Sequence, residues 1–215
     1  YHLLKHNKGK GVMIGHMDDM DPRVVTVIGA GVAGTQSILK AIDNKALVKV
    51  VDSSQSKLDD LKSKYGTENV EYILSSKDSI QVSVNESDLV IGSVYVVGKE
   101  APKVVTKDML SSMNPGTVMV DVSIDQGGCF ETSKPTTHDS PTFLENEIVH
   151  YCVTNMPGAV PLTATEALNK VSLSYVENLA NNGIQNALDS DEHLRNGLNI
   201  LDGRIVHPGV KEALE

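Results

Sequence analysis

The chain has 215 residues, 40% hydrophobic and 22% charged, with no Trp and two Cys. Nineteen Lys and Arg against 28 Asp and Glu leave a formal charge of −9, which argues against a nucleic-acid backbone or an anionic membrane surface as partner. No apolar run is long enough to span a bilayer, no signal-peptide pattern opens the chain, and two Cys suit a reducing, cytoplasmic setting better than a disulfide scaffold.

The chain opens Tyr1-His2-Leu3-Leu4-Lys5, without Met, and reads as one entered part-way along. Residues 1–23 predict a short amphipathic stretch and then a loop, broken by Gly9 and Gly11 and too acidic across His16–Pro22 to continue a helix. Val24–Ile28 is an unbroken β-branched run without alternation, the pattern of a strand buried on both faces of a parallel sheet. A helix follows from Val32 to Asn44, then a strand at Val48–Val51. A second helix spans Ser54 to Tyr65, with Leu58, Leu61 and Tyr65 on one face and a cap from Asp52 to Ser54. Val70–Leu74, Leu89–Ile91 and Thr117–Val120 predict further short strands. Strands alternating with helices at this spacing mean βαβ units and a parallel sheet. Residues 123–147, polar and rich in Gly, Pro, Thr and Ser, read as one long loop-rich passage before a last strand at Ile148–Val153. From Thr163 to about Ala180 an apolar stripe of Ala167, Leu168, Val171, Tyr175, Leu179 and Ala180 predicts a helix, with helical fragments to the end and turns at Gly197 and Asp202-Gly203.

Gly29-Ala30-Gly31-Val32-Ala33-Gly34 directly follows the first strand and opens the first helix, and Asp52 ends the next strand. That context turns a weak G-x-G-x-x-G pattern into a dinucleotide fingerprint and predicts a Rossmann-like doubly wound parallel sheet. Gly29 permits the tight turn and Gly31 the approach of backbone N–H groups to a pyrophosphate. Gly34 lets helix and strand pack closely, and the helix N-terminus adds partial positive charge. Asp52 would accept from the adenosine ribose hydroxyls and repel a 2′-phosphate, favouring NAD over NADP. A strand–turn–helix without ligand is the alternative.

Asp121–Gly128 follows the strand at 117–120, at the sheet edge where open α/β folds bind ligands. Asp125 beside Gly127-Gly128 is placed either to reach a reacting centre or merely to form the turn. Cys129, His138, His150 and Cys152 raise the question of zinc, but their spacing matches no closed zinc framework, and no metal site is expected.

The glycine turn, Ala101-Pro102-Lys103, Met113-Asn114-Pro115-Gly116, Asp121–Gly128, Cys129-Phe130-Glu131-Thr132, Pro135-Thr136-Thr137-His138 and Asn155–Pro161 together resemble alanine dehydrogenase, over nearly the whole length from about Leu4. The related NAD-binding subunit of proton-translocating transhydrogenase shares the glycine turn and the first half of the pattern. It usually carries Glu at the position of Asp125 and lacks the two motifs that follow.

The resemblance implies NAD-dependent oxidative deamination of L-alanine to pyruvate and ammonium. It implies that Asp125 is catalytic, working in acid–base steps, and that Asp52 and Lys57 contact the adenosine side. Ser75 or Ser76, Val94, Tyr95 and Val122 would line the cofactor cleft, and Asn155 and Met156 would contact the nicotinamide side, Asn155 also the substrate. Residues 1–161 would form the NAD domain with a connecting segment. Residues 162–215 would be the helical return of a second, incomplete domain, since the family's substrate-binding Arg and Lys and catalytic His match no residue of this chain. The loop His16–Arg23 is acidic where the family usually carries Gly and Pro. A homo-oligomer, a hexamer in the family, is implied as well. Two alternatives stay open: a catalytically inactive NAD-binding fragment or half of a split enzyme, and a transhydrogenase NAD-binding subunit.

Overall fold

A computed structural model of the chain describes residues 1–15, 17 and 19–214. The acidic loop expected at 16–23 includes His16 and Asp18, which lie outside the described residues. The described residues fall into two compact units, one from 1–96 with 100–154 and the other from 97–99 with 155–214.

The larger unit is a seven-stranded sheet. In chain order its strands are β1 (Val24–Ile28), β2 (Leu47–Asp52), β3 (Val70–Leu74), β4 (Leu89–Gly92), β5 (Val118–Asp121), β6 (Thr142–Glu145) and β7 (Ile148–Tyr151), arranged 3-2-1-4-5-7-6. All neighbours pair in parallel except β6 with β7. The connecting helices are α1 (Val32–Asp43), α2 (Gln55–Tyr65), α3 (Lys77–Glu86) and the short α4 (Lys107–Leu110). This is the expected α/β, Rossmann-like, doubly wound architecture.

The β-branched strands are buried on both faces, as their lack of alternation implied. Val25 and Val27 of β1 pack with Val48 and Val50 against Ile38 and Ala41 of α1 and Leu58 and Leu61 of α2. Ile28 and Val51 point the other way and pack with Val90 and Met119 against Ile80 and Val84 of α3 and Met109 and Leu110 of α4. Thr26 shares that second face; its buried hydroxyl meets the Ser87 hydroxyl at 2.6 Å and the Ser83 carbonyl at 3.3 Å, so the polar group is satisfied without water.

Several expectations need correction. The passage 123–147 is not continuous loop: Ile124–Gln126 forms a 3-10 turn, and β6 occupies Thr142–Glu145. β6 and β7 make a hairpin whose two loop residues, Asn146 and Glu147, both have positive φ (49° and 63°). That is the turn geometry whose twist matches the flanking strands. The following strand is also shorter than expected, ending at Tyr151, while Val153 makes an isolated parallel bridge with Thr136.

The smaller unit is largely helical. α5 (Pro161–Ser190) runs past the expected end near Ala180 but breaks its helical backbone at Gly183 (φ 72°, ψ 165°). α6 (Glu192–Asn196) follows, capped by the Asp191 carboxylate, which accepts from the Leu194 N–H at 3.0 Å. The end of the chain is not wholly helical: β8 (Ile200–Leu201) and β9 (Arg204–Ile205) form a small hairpin around Asp202-Gly203 before α7 (Pro208–Leu214). Leu168 and Val171 of the apolar stripe are exposed. Among the described residues no helix is long and apolar enough to cross a membrane.

Candidate functional site

Parallel pairing brings the carboxyl ends of β1, β2, β4 and β5 to one edge, with Ile28 level with Gly92 and Gly92 level with Asp121. β1 and β4 are sheet neighbours but not sequence neighbours, so the connections after them leave in opposite directions and open a crevice between. A cleft of about 660 Å³ occupies this place. Its walls are Gly29, Gly31, Val32 and Ala33 from the glycine turn, Asp52, Ser53 and Lys57 after β2, Ser93, Val94 and Tyr95 after β4, and Val122, Ser123, Asp125 and Gln126 after β5.

Each glycine of the turn has its own reason. Gly29 has φ 98°, and a Cβ there would lie 2.6 Å from the Ser93 carbonyl oxygen. At Gly34 a Cβ would come within 1.8 Å of the Gly29 carbonyl oxygen, so helix and turn approach more closely than any side chain permits. Gly31 is the opposite case: a Cβ would meet nothing within 4 Å, because the residue faces the cleft. Gly31 is also the N-cap of α1, and no side chain caps that helix. The first turn of α1, with its partial positive charge, therefore borders the cleft without a side-chain cap at Gly31.

Asp52 is buried at the end of β2 and holds two backbone segments. One carboxylate oxygen accepts from the Ala30 N–H at 2.7 Å, inside the glycine turn, and the other from the Ser54 N–H at 2.8 Å. Ser54 in turn caps α2 by accepting from the Lys57 N–H at 3.4 Å, which fixes the helical turn that carries Lys57. Lys57 is the one cation among the described residues that line the cleft.

The loop after β5 is organised by a carboxylate to which the sequence reading gave no role. Asp121 is fully buried and accepts from the N–H groups of Ser123 (3.0 Å), Cys129 (2.9 Å) and Phe130 (3.3 Å) and from the Ser133 hydroxyl (2.5 Å). The loop can wrap this oxygen cluster because Gly127 and Gly128 take φ of 85° and 76°; a Cβ on Gly128 would lie 2.8 Å from an Asp121 oxygen. Lys103 ties the outer side, donating from Nζ to the carbonyls of Gly127 and Gly128. Asp121, not Asp125, therefore forms the turn, and Asp125 is left exposed on the cleft wall.

Of the other expected residues, Val94, Tyr95 and Val122 line the cleft, and Gly34 lies beneath it. Ser75 stands beside the wall rather than in it: its N–H donates to the Asp52 carbonyl at 2.9 Å, while Ser76 caps α3. Asn155 and Met156 belong to the smaller unit, where Asn155 has φ 53° and precedes a 3-10 turn at Met156–Ala159.

The sequence reading missed Ser53, Ser93, Ser123 and Gln126. Ser93 and Ser123 donate to the carbonyls of Gly29 (2.7 Å) and Val94 (2.8 Å), fixing the cleft floor. Gln126 stands apart: its side-chain carbonyl oxygen is buried without a hydrogen-bond partner among the described residues. No sequence pattern signals such an oxygen, since only the packing around it makes it buried and unpaired.

His150 has both ring nitrogens engaged, Nε2 with the Thr132 hydroxyl at 2.8 Å and Nδ1 with the Ile148 carbonyl at 3.1 Å, and it stacks on Phe143. Burial holds its pKa below the ordinary histidine value and the ring neutral. Burial also pushes both thiols upward, and the Asp121 carboxylate adds to the shift at each. Neither thiol is poised as a nucleophile or thiolate ligand.

The model of the family described as "Alanine dehydrogenase/PNT, C-terminal domain" matches residues 1–208. An alanine dehydrogenase of Halomonas elongata is 47% identical over 211 residues, covering 98% of this chain and 57% of that protein. Alanine dehydrogenase 2 of Staphylococcus aureus is 44% identical, covering 99% of this chain and again 57% of the relative. The chain thus spans somewhat over half the length of the curated relatives it matches. A solved L-alanine dehydrogenase superposes with TM-score 0.87 at 42% identity, covering 99% of this chain and 58% of that one. A transhydrogenase from Sinorhizobium meliloti shares the fold at TM-score 0.70 and 23% identity, covering 91% of this chain and 53% of that one.

Proposed function

Because the chain belongs to the family of alanine dehydrogenase/PNT C-terminal domains, we propose that it is the cofactor-binding portion of an NAD-dependent alanine dehydrogenase. The whole enzyme converts L-alanine reversibly to pyruvate and ammonium in this reading. The observation that carries it is the glycine turn and Asp52 meeting in one cleft, with Gly31 open to a ligand and the N-terminus of α1 uncapped.

The residues fit a dinucleotide. The cleft volume lies inside the range of about 300–1,000 Å³ common for small-molecule sites. The turn from Gly29 to Gly34 offers N–H groups and a helix terminus to a pyrophosphate. Asp52 accepts from ribose hydroxyls while repelling a 2′-phosphate, which supports NAD over NADP. Lys57 adds positive charge on the adenosine side, and Val94, Tyr95 and Val122 supply flat apolar contact at the β4–β5 end. When bound there, NAD supplies the acceptor for the hydride leaving the alanine Cα. Asp125 stands at that end of the cleft and takes and returns protons as the amine becomes an imine and water adds. Its negative charge also favours the cationic imine.

Asn155 contributes to the substrate and nicotinamide side and Met156 to the cofactor in this reading, and Ser75 supports the adenosine end. Residues 1–161 form the NAD domain and 162–215 the return of the substrate domain. The proposal extends to a homo-oligomer in the cytoplasm, supported by the family's hexameric habit and by two unpaired buried Cys.

Titration of the chain with NADH, followed by the rise in nicotinamide fluorescence, tests the reading, with ADP-ribose as competitor. Saturable binding displaced by ADP-ribose is expected, with no NADH formed from NAD and alanine by these 215 residues alone. Absence of binding would sink the cofactor reading. Sustained turnover would instead show that all catalytic groups lie within this chain.

A further inference from the structure

We propose that Gln126 recognises the carboxamide of the nicotinamide ring, its side-chain oxygen accepting a hydrogen bond from the carboxamide N–H. The inference rests on the NAD reading above and adds to it the residue that distinguishes the ring's amide.

Four observations converge. The Gln126 side-chain oxygen is buried and has no donor among the described residues. A buried carbonyl left in that state costs roughly 1–3 kcal/mol, so the native fold tolerates it only where something else compensates. Gln126 is also one of the residues that line the cleft, following β5 and opposite the end that holds Asp52 and Lys57. With the adenosine end at β2, the nicotinamide end falls at β5.

The root of the side chain is fixed. The Gln126 N–H donates to the Ser123 carbonyl at 2.9 Å, and its own carbonyl accepts from the Ala101 N–H at 2.9 Å. Its terminal amide turns about a broad sp³–sp² torsion, so the oxygen can swing to an arriving donor without moving the backbone. Among the described residues the protein brings it no donor. Lys103, from the segment between β4 and α4, gives its Nζ to the carbonyls of Gly127 and Gly128, and Asp125 can only accept when ionised. What the oxygen lacks is a neutral N–H donor entering from the cleft, and a primary amide on a flat ring has that chemistry.

The test compares calorimetric affinities for NAD, for its acetylpyridine analogue, in which a methyl ketone replaces the carboxamide, and for ADP-ribose. The unmodified chain should prefer NAD over the analogue by about threefold to tenfold, the scale of one net hydrogen bond. Gln126→Met should erase that preference and leave ADP-ribose affinity unchanged. Gln126→Glu keeps an acceptor and should retain the preference. No preference in the unmodified chain, or a preference that survives Gln126→Met, overturns the assignment; the first outcome does so even if the Met variant fails to fold. Failure of ADP-ribose to bind overturns the cofactor reading and this proposal with it. ADP-ribose binding without discrimination at the ring overturns Gln126 alone.

Discussion

Asp52 carries two backbone hydrogen bonds and still has lone pairs to offer, since an ionised carboxylate accepts at about four sites. The residue therefore shapes the glycine turn through Ala30 and, in the function proposed above, also faces the ribose. Asp52→Ala is expected to weaken ADP binding by about 1–3 kcal/mol, the scale of a lost charge-assisted bond. It should also weaken binding of an ADP that lacks both ribose hydroxyls. Unchanged affinity for that hydroxyl-less ligand, read by calorimetry, would show that Asp52 serves the ribose only. Asp52 was legible in the sequence because it ends a strand at a fixed distance from the glycine turn. Asp121 and Gln126 were not. What matters in Asp121 is four donors arriving from residues up to 12 positions away, and no local pattern encodes such convergence.

At the scale of elements, the joint between β1 and α1 separates two uses of glycine. Gly34→Ala places a Cβ 1.8 Å from the Gly29 carbonyl oxygen, so turn and helix must part. Overpacking of this kind costs about 1–3 kcal/mol, and we expect a lower melting temperature together with weaker NADH binding. Gly31→Ala meets no neighbour and has an ordinary φ of −74°, so the melting temperature should hold while NADH binding falls. Equal stability losses in the two variants would contradict the division of labour.

β1 was legible at Val24–Ile28 because burial on both faces leaves an unbroken β-branched run. β6 escaped for the opposite reason: Thr142–Glu145 is an edge strand, partly exposed, in a polar setting, and its Asn-Glu turn lacks the glycine that usually marks a two-residue hairpin. Asp202-Gly203 carried that mark and was read as a turn, although strands of two residues were too short to announce themselves.

For the molecule as a whole, the buried neutral His150 links the stability of the larger unit to pH. Its native pKa is held below the ordinary value of 6.5, so in mild acid the unfolded chain binds a proton that the native state refuses. Stability from this group is complete above pH 6.5 and falls as the pH drops below it, by at most about 1.4 kcal/mol per pH unit, until the native ring also protonates. Denaturant melts should show this slope in the parent and a shallower one in His150→Gln. An identical slope would assign the pH dependence to other groups. The neutral ring is itself a product of tertiary packing, for the sequence offered His150 only among the Cys and His residues that raised the question of zinc.

The same division holds throughout. Sequence alone determined the sheet class, the glycine turn, the acidic residue at the second strand and the family, because these depend on local residue order and on short fixed spacings. Tertiary structure decided that Asp121 builds the loop while Asp125 faces the cleft, and that one glutamine oxygen is buried unpaired. These depend on which distant groups converge, and chain order does not encode convergence until the sheet has brought its strand ends together.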